Sequence, residues 1–430
     1  MKLAKISLAT LVALGAFSTV ASATPLEEAI KNVDLSGFAR YRYDHLNKKF
    51  ADSTKENSAR HRFTIKTTFK AALDDNFFGV LGMRYNANDG SGNSKGFDDK
   101  GEGDKSVTDK TFEVSELYLG YKVGGTTITA GKQTIGSFFT DDLIGTGLKV
   151  LNKDIQGLTL AAVAFDALEV GGNGWGLSNG LGELIADKLD LEGKNKDEKM
   201  ANVKQGIVKN NLYGVGAMGS YDPVDFKLWY ASLTNIADLI AADIAVGFEV
   251  NDDINFGLQA QYGHSNVKNK GKEFVKKELG SDVLRDTNLY TVEATTGLFG
   301  ADLALGYVNW KVKDHGVGFV TIDDQAGFNY AGEQTFDYTT LEGKGNFFYA
   351  KLGYGFDKFG LGLDYVKGDV KTKEAGKDVK DKSTEYVARA SYKYSKKLNF
   401  ATWYSKLTNK DHDGDKEKSN QFRFEAKYSF

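Results

Sequence analysis

Apolar and polar residues alternate with a period of two along most of this chain. Over 420–430, Phe422, Phe424, Ala426, Tyr428 and Phe430 share one parity, while Gln421, Arg423, Glu425, Lys427 and Ser429 share the other. Strand side chains point to opposite faces in turn, so such a segment meets oil on one side and water on the other. The same pattern recurs over 33–43, 254–262 and 385–394. Short turns join pairs of these runs: Asp74-Asp75-Asn76, Gly124-Gly125, Asp222-Pro223-Val224, Asn251-Asp252-Asp253, Phe299-Gly300, Asp357-Lys358 and Ser395-Lys396-Lys397. Long polar segments separate the pairs at 88–110, 167–210, 264–287, 311–345, 368–383 and 407–419.

The alternation predicts strands at 33–44, 59–71, 77–87, 112–122, 126–133, 145–152, 157–166, 211–221, 225–234, 240–250, 254–263, 288–297, 301–310, 346–356, 360–367, 384–394, 398–406 and 420–430. The sixth has the weakest pattern, but up-and-down order requires it. The count is then eighteen, or sixteen if one hairpin is discounted. An apolar strand at the end of a water-soluble sheet would be an exposed edge. In a closed barrel, 420–430 pairs with 33–44 and no edge remains. The fold class is therefore all-β: a transmembrane antiparallel up-and-down barrel with short periplasmic turns and long extracellular loops. Tyr41, Tyr43, Tyr85, Tyr121, Tyr221, Tyr354, Phe356, Tyr394 and Tyr404 fall at strand ends, as aromatic girdles do.

The start of the chain agrees with export. Lys2 and Lys5 precede an apolar stretch, 6–17, and then Ala21-Ser22-Ala23. This is the layout of a signal peptide over 1–23, with the barrel domain occupying 24–430. Loss of the two lysines takes the formal charge from −3 to −5, mild acidity that argues against a nucleic-acid partner. Cysteine is absent, which excludes disulfides and thiolate metal sites. Proline occurs only twice, in keeping with a chain built mostly of sheet.

Eighteen strands enclose more space than side chains fill, which predicts a wet lumen. Arg40, Arg42, Arg60, Arg62, Lys66, Lys70 and Arg84 take the inward parity of the first three strands and form a basic wall. Opposite it, the loop 134–144 is apolar for an exposed segment and carries Asp141 and Asp142 together. Folded inward, this third loop would bury Ile135, Phe138 and Phe139 against the wall and set carboxylates across from cations at a constriction. The alternative is an aspartate pair solvated on a hairpin tip.

Several segments resemble the Campylobacter-type major outer membrane protein family. They are Thr24-Pro25-Leu26-Glu27-Glu28-Ala29-Ile30 followed by Arg40-Tyr41-Arg42-Tyr43, Gly145-Thr146-Gly147 running to Gly157-Leu158-Thr159, Leu212-Tyr213-Gly214 running to Tyr221-Asp222, and Tyr392-Lys393-Tyr394-Ser395 with Leu398-Asn399-Phe400. The resemblance implies an eighteen-stranded homotrimeric porin of the Gram-negative outer membrane, in contact with its lipid and lipopolysaccharide. It also implies a calcium ion near the constriction, for which the matching acidic positions are Asp141, Asp142 and Asp166. Phe430 resembles the terminal signal read by barrel-assembly machinery.

Other features carry less. Asp411-His412-Asp413-Gly414-Asp415 lacks the glycine and glutamate positions of a calcium loop. Residues 181–191 have the pattern of a short amphipathic helix, and Thr24-Pro25-Leu26-Glu27 has that of a capping box. The leading expectation is a diffusion porin, weakly cation-selective and without catalytic residues. An adhesin whose loops bind host ligands is the alternative. A barrel enzyme is disfavoured, because His61 takes the outward parity with no Ser or Asp partner.

Overall fold

The computed structural model describes residues 33–91, 108–169, 193–251, 253–374 and 376–430. The expected signal peptide over 1–23, the capping-box pattern at 24–27 and the expected helix at 181–191 lie outside these residues. The strands are β1 (Val33–Lys49), β2 (Lys55–Ala72), β3 (Phe77–Ser91), β4 (Thr108–Val123), β5 (Thr126–Thr134), β6 (Ile144–Asn152), β7 (Leu158–Leu168), β8 (Leu212–Tyr221), β9 (Val224–Leu233), β10 (Ala237–Asn251), β11 (Ile254–Val267), β12 (Thr287–Leu298) and β13 (Ala301–Val312). They continue with the two-residue strands β14 (Val317–Gly318) and β15 (Leu341–Glu342), then β16 (Lys344–Phe356), β17 (Phe359–Glu374), β18 (Lys377–Lys393), β19 (Leu398–Lys410) and β20 (Lys416–Ser429).

Apart from the small β14–β15 ladder, the strands form one eighteen-stranded sheet in which chain neighbours pair antiparallel and β1 pairs with β20. The closing register sets Phe38 opposite Ser429 and Lys49 opposite Lys418. Gly37 and Phe430 seal the turn end with reciprocal backbone hydrogen bonds of 3.0 Å. Closure leaves no unpaired edge, as lipid requires.

Burial is inverted relative to a water-soluble protein. Outward-facing Phe112, Leu119, Phe248, Leu258 and Leu363 are exposed, while inward-facing Thr64, Asp243, Gln261, Thr291, Asp364 and Glu385 are buried. The strands outrun their sequence-read ends at the loop side. Where long loops were expected at 368–383 and 407–419, β17 runs to Glu374, β18 starts at Lys377, and the other loop shrinks to 411–415, because polar alternation continues the ladder there. Among the described residues two α-helices occupy loop segments, α1 (Gly193–Val208) and α2 (Asn269–Leu279), and neither was legible as a helix.

The main correction concerns the seventh loop, 313–343, read from sequence as a long polar exterior segment. It folds into the barrel, and Phe319, Val320, Ile322, Phe328, Tyr338 and Leu341 are buried. The apolar core lies inside the lumen, made by this loop, the third loop (135–143) and the inner faces of β7 to β17. The lumen is therefore partly filled rather than wholly wet. Close packing there demands glycine: on β13 a side chain at Gly306 would place its Cβ 1.9 Å from the Tyr349 ring on β16.

Deleting Phe430 removes both seals to Gly37, each worth about 1 kcal/mol. Less folded, heat-modifiable barrel is expected on electrophoresis, with unchanged conductance in the molecules that do assemble.

Candidate functional site

The arginine wall stands on the inner faces of β1, β2, β3 and β20. Arg40 and Arg42 lie opposite Thr64 and Arg62 on one side, and opposite Lys427 and Glu425 on the other. Arg60 faces Asp44, and Lys66 faces Arg84. Unlike the sequence reading, which saw only cations, the wall carries carboxylates. Arg42 bridges Glu425 at 2.6 Å, Arg84 bridges Glu113 at 2.5 Å, Lys66 approaches Glu116 at 3.5 Å, and Arg423 pairs with the buried Asp44. These four acids lower the charge of the wall without cancelling it.

Glu113 and Glu116 escaped the alternation argument for a specific reason. They are three residues apart, so strict alternation puts them on opposite faces. A bulge at Ser115 shifts the β3–β4 register between Gly82 and Met83, and both glutamates end opposite lumen-side partners.

Across the lumen stand the two inward loops. Ile135 packs beside Phe165 over Gly145, and Phe138 meets Phe328 edge-on at 4.9 Å. The third loop is thus buried against the seventh loop and β7, not against the arginine wall. Backbone bonds join the two loops: Ile322 N–H donates to Phe139 O at 2.8 Å, and Gly327 N–H to Phe138 O at 3.0 Å. The amides of Asp141 and Asp142 donate to Asp323 Oδ2 at 3.2 and 3.0 Å. An acidic group results, comprising Asp141, Asp142, Asp323 and Asp324, and Asp142 lies within Coulombic reach of Arg40. The seventh loop repeats the signature of the third, an Asp pair behind apolar residues: Phe139-Thr140-Asp141-Asp142 beside Thr321-Ile322-Asp323-Asp324. That repeat was the signal available in the sequence.

The tip of the seventh loop is pinned to the far wall by carboxylates. Glu385, fully buried on β18, accepts from Glu333 N–H at 2.8 Å, Gln334 N–H at 3.1 Å, Thr335 Oγ1 at 2.5 Å and Ser405 Oγ at 2.6 Å. Asp364 accepts from Gly332 N–H at 3.1 Å and from Arg389 at 2.7 Å, and Arg389 also pairs with Glu333. Gly332 has φ +84°, and a Cβ there would lie 2.3 Å from Glu385 Oε2. Only glycine meets both demands.

A cavity of ≈ 610 Å³ separates the loop tip from the wall. Arg42, Arg60, Arg62 and Arg423 line one side, and Asp324, Glu333 and Asp337 the other. A second, of ≈ 570 Å³, opens toward the turns near Lys227, Asp243 and Gln259. Asp166 does not join the acidic group. It is exposed in the β6–β7 bulge, where Thr146 pairs with Ala167 and Gly147 with Phe165. Among the described residues no three His, Asp or Glu side chains converge so as to hold a metal ion. His61 faces outward, 2.7 Å from Tyr41 Oη and against the Tyr43 ring, as the parity reading required.

A closed barrel with an apolar exterior and a charged lumen defines an outer-membrane channel of the porin class. The family model described as Campylobacter major outer membrane protein matches residues 1–430, and the chain belongs to that family. Among solved structures, Acinetobacter baumannii OccAB3 superposes with a TM-score of 0.68 at 12% identity, covering 92% of this chain and 99% of that one. Pseudomonas aeruginosa OpdL gives 0.66 at 12%, covering 93% and 99%, and OpdQ of the same organism gives 0.65 at 12%, covering 92% and 99%. At such identity the likeness concerns the fold. Comparison with curated proteins finds no sequence match.

Two measurements follow. Glu385→Ala strands four donors, two of them the amides of Glu333 and Gln334, so these two amides should exchange faster by about tenfold or more, with larger and noisier single-channel currents. Burial, then the Asp142 charge, pushes the Asp323 carboxyl up to about 6, and burial with Asp323 and Asp337 pushes Asp324 up to about 7. Raised carboxyl values mean that loop packing is strongest below the ordinary carboxylate range and loosens as pH rises through 6 to 7. Between pH 8 and 5 both groups lose their charge, so cation preference should fall in reversal-potential recordings. Asp323→Asn with Asp324→Asn should flatten that profile.

Proposed function

We propose that this protein is a passive diffusion channel, passing ions and small hydrophilic solutes between the arginine wall and the acidic loops. The observation that carries the reading is the ≈ 610 Å³ cavity bounded by guanidinium groups on one side and carboxylates on the other. Opposed charges across a narrow, partly desolvated passage set up a transverse field that orients dipolar solutes and discriminates among ions. Arg42, Arg60, Arg62 and Arg423 form the cationic side of this cavity, and Asp324, Glu333 and Asp337 the anionic side. Arg40 and Arg84 extend the cations, and Asp141, Asp142 and Asp323 the acids, beyond its lining. The lean is toward cations, from the loop carboxylates and the acidity of the mature chain. No bond is made or broken on this path, and no catalytic residue is assigned.

Homotrimeric assembly rests on the family resemblance alone. Calcium takes carboxylate oxygens of the kind that Asp141 and Asp142 offer, but Asp166 stands apart and, among the described residues, no three His, Asp or Glu side chains converge. The described residues alone do not assemble a calcium cage, and transport is derived without one.

Planar-bilayer recording under a salt gradient tests the reading. Ohmic steps with a cation-side reversal potential are expected, in multiples of three if the trimer inserts whole. Asp141→Asn with Asp142→Asn should shift the reversal potential toward the anion side, and an unchanged conductance and potential would refute the constriction. Recording with and without a chelator tests calcium.

A further inference from the structure

The cavity between the arginine wall and the seventh loop is built unequally on its two sides. On the wall, Arg42, Arg60, Arg62 and Arg423 line it. The ladder sets Arg42 directly opposite Arg62, and sets Asp44 between Arg60 and Arg423. Like charges facing each other on neighbouring strands destabilise a sheet. An anion held between two guanidiniums turns that repulsion into charge-assisted contacts, and a carboxylate matches their forked geometry.

On the loop side the lining acids Glu333, Asp337 and Asp324 differ from one another. Asp337 accepts from the Thr339 amide at 2.8 Å and from the Thr339 hydroxyl at 2.6 Å, and Glu333 pairs with Arg389. The Asp324 carboxylate accepts no hydrogen bond from the described residues, yet it lines the cavity. Its backbone is left-handed at φ +44°, which is uncommon outside glycine, and Thr321 Oγ1 donates to its carbonyl oxygen at 2.6 Å. Strain of this kind persists only where the surrounding structure imposes it, and it collects at ligand clamps. A metal ion needs several converging ligands, which the described residues do not bring together. An organic ammonium needs a single carboxylate, and Asp324 offers one.

We propose that this cavity recognises zwitterionic peptides of two or three residues, the terminal carboxylate held by the guanidiniums and the terminal ammonium by Asp324. Size agrees with that occupant. A volume of ≈ 610 Å³ lies in the ordinary range of small-molecule sites. Taken as equant, the cavity is roughly 8 Å across, and an extended chain advances about 3.5 Å per residue. A single amino acid therefore falls short of one side, while two or three residues reach both. Asn409, Ser419 and Gln421 also line the cavity and offer donors and acceptors to the peptide groups. The inference deepens the channel reading and rests on it, since the peptide is a dipolar solute that the transverse field orients.

The test titrates the purified full chain in neutral detergent with triglycine, N-acetyl-triglycine, triglycine amide and glycine, by calorimetry in the presence of a chelator that keeps metal off the acids. Triglycine should bind at least about tenfold more tightly than each of the other three. Asp324→Asn should close the gap between triglycine and its N-acetyl form while leaving the gap to the amide. Arg62→Gln should do the reverse. Asp302→Asn removes an exposed inward carboxylate outside the cavity lining and should keep both gaps. Potassium chloride conductance is recorded on the same proteins and should persist in all three variants, which certifies the fold. Equal affinity for triglycine and its two capped forms, no binding of triglycine, or equal losses in Asp324→Asn and Asp302→Asn would overturn the proposal. Protein that discriminates among the peptides without conducting would instead refute the channel reading, so the two failures are distinct.

Discussion

Backbone amides and carbonyls have no water to bond inside a bilayer, and this constraint organises the whole molecule. It admits one solution for a strand protein, a ladder that closes on itself, and here closure falls between β1 and β20. Once the ladder is closed, parity decides every side chain's solvent. Tyr41, Tyr43 and Phe422 go to the lipid side while Arg40, Arg42 and Arg423 go to the lumen. The basic wall is thus a consequence of closure, because four neighbouring strands bring their cations to one side of the bore.

Closure also creates an interior that an eighteen-strand circumference leaves too wide for side chains alone. The third and seventh loops occupy that space and bury a core of their own. Their polar backbone groups cannot stay unpaired at that depth, and inward carboxylates supply the acceptors: Asp323 for the third loop, Asp364 and Glu385 for the tip of the seventh. The acids that hold the loops lie near those that face the arginines, so loop position and pore charge are coupled. The raised carboxyl groups of Asp323 and Asp324 express that coupling, since burial for packing sets their charge at neutral pH.

Much of the scaffold was legible in the alternation of single strands. The 420–430 face, the outward His61 and the eighteen-strand count all follow from period two, because a lipid-facing strand tolerates no break in parity. Less of the site was legible. Glu113 and Glu116 lay hidden behind the bulge at Ser115, which no residue pattern announces. The seventh loop was misread because its polar residues were weighed above its apolar ones, although Phe319, Ile322, Phe328 and Tyr338 are too many for a solvated segment. Asp166 looked adjacent to the Asp141 pair along the chain, and a register shift left it exposed.

The sequence by itself determined the compartment, the strand set and which residues share a wall, because a two-residue period is a local property that each strand carries alone. Only the tertiary structure decided which acid meets which cation, since that depends on bulges, on register and on where a loop between β13 and β16 comes to rest. The partners of Asp141 and Asp142, nearly two hundred residues away, came together because both loops had apolar faces to bury in the same lumen. That is a long-range packing choice, and alternation along one strand holds no record of it.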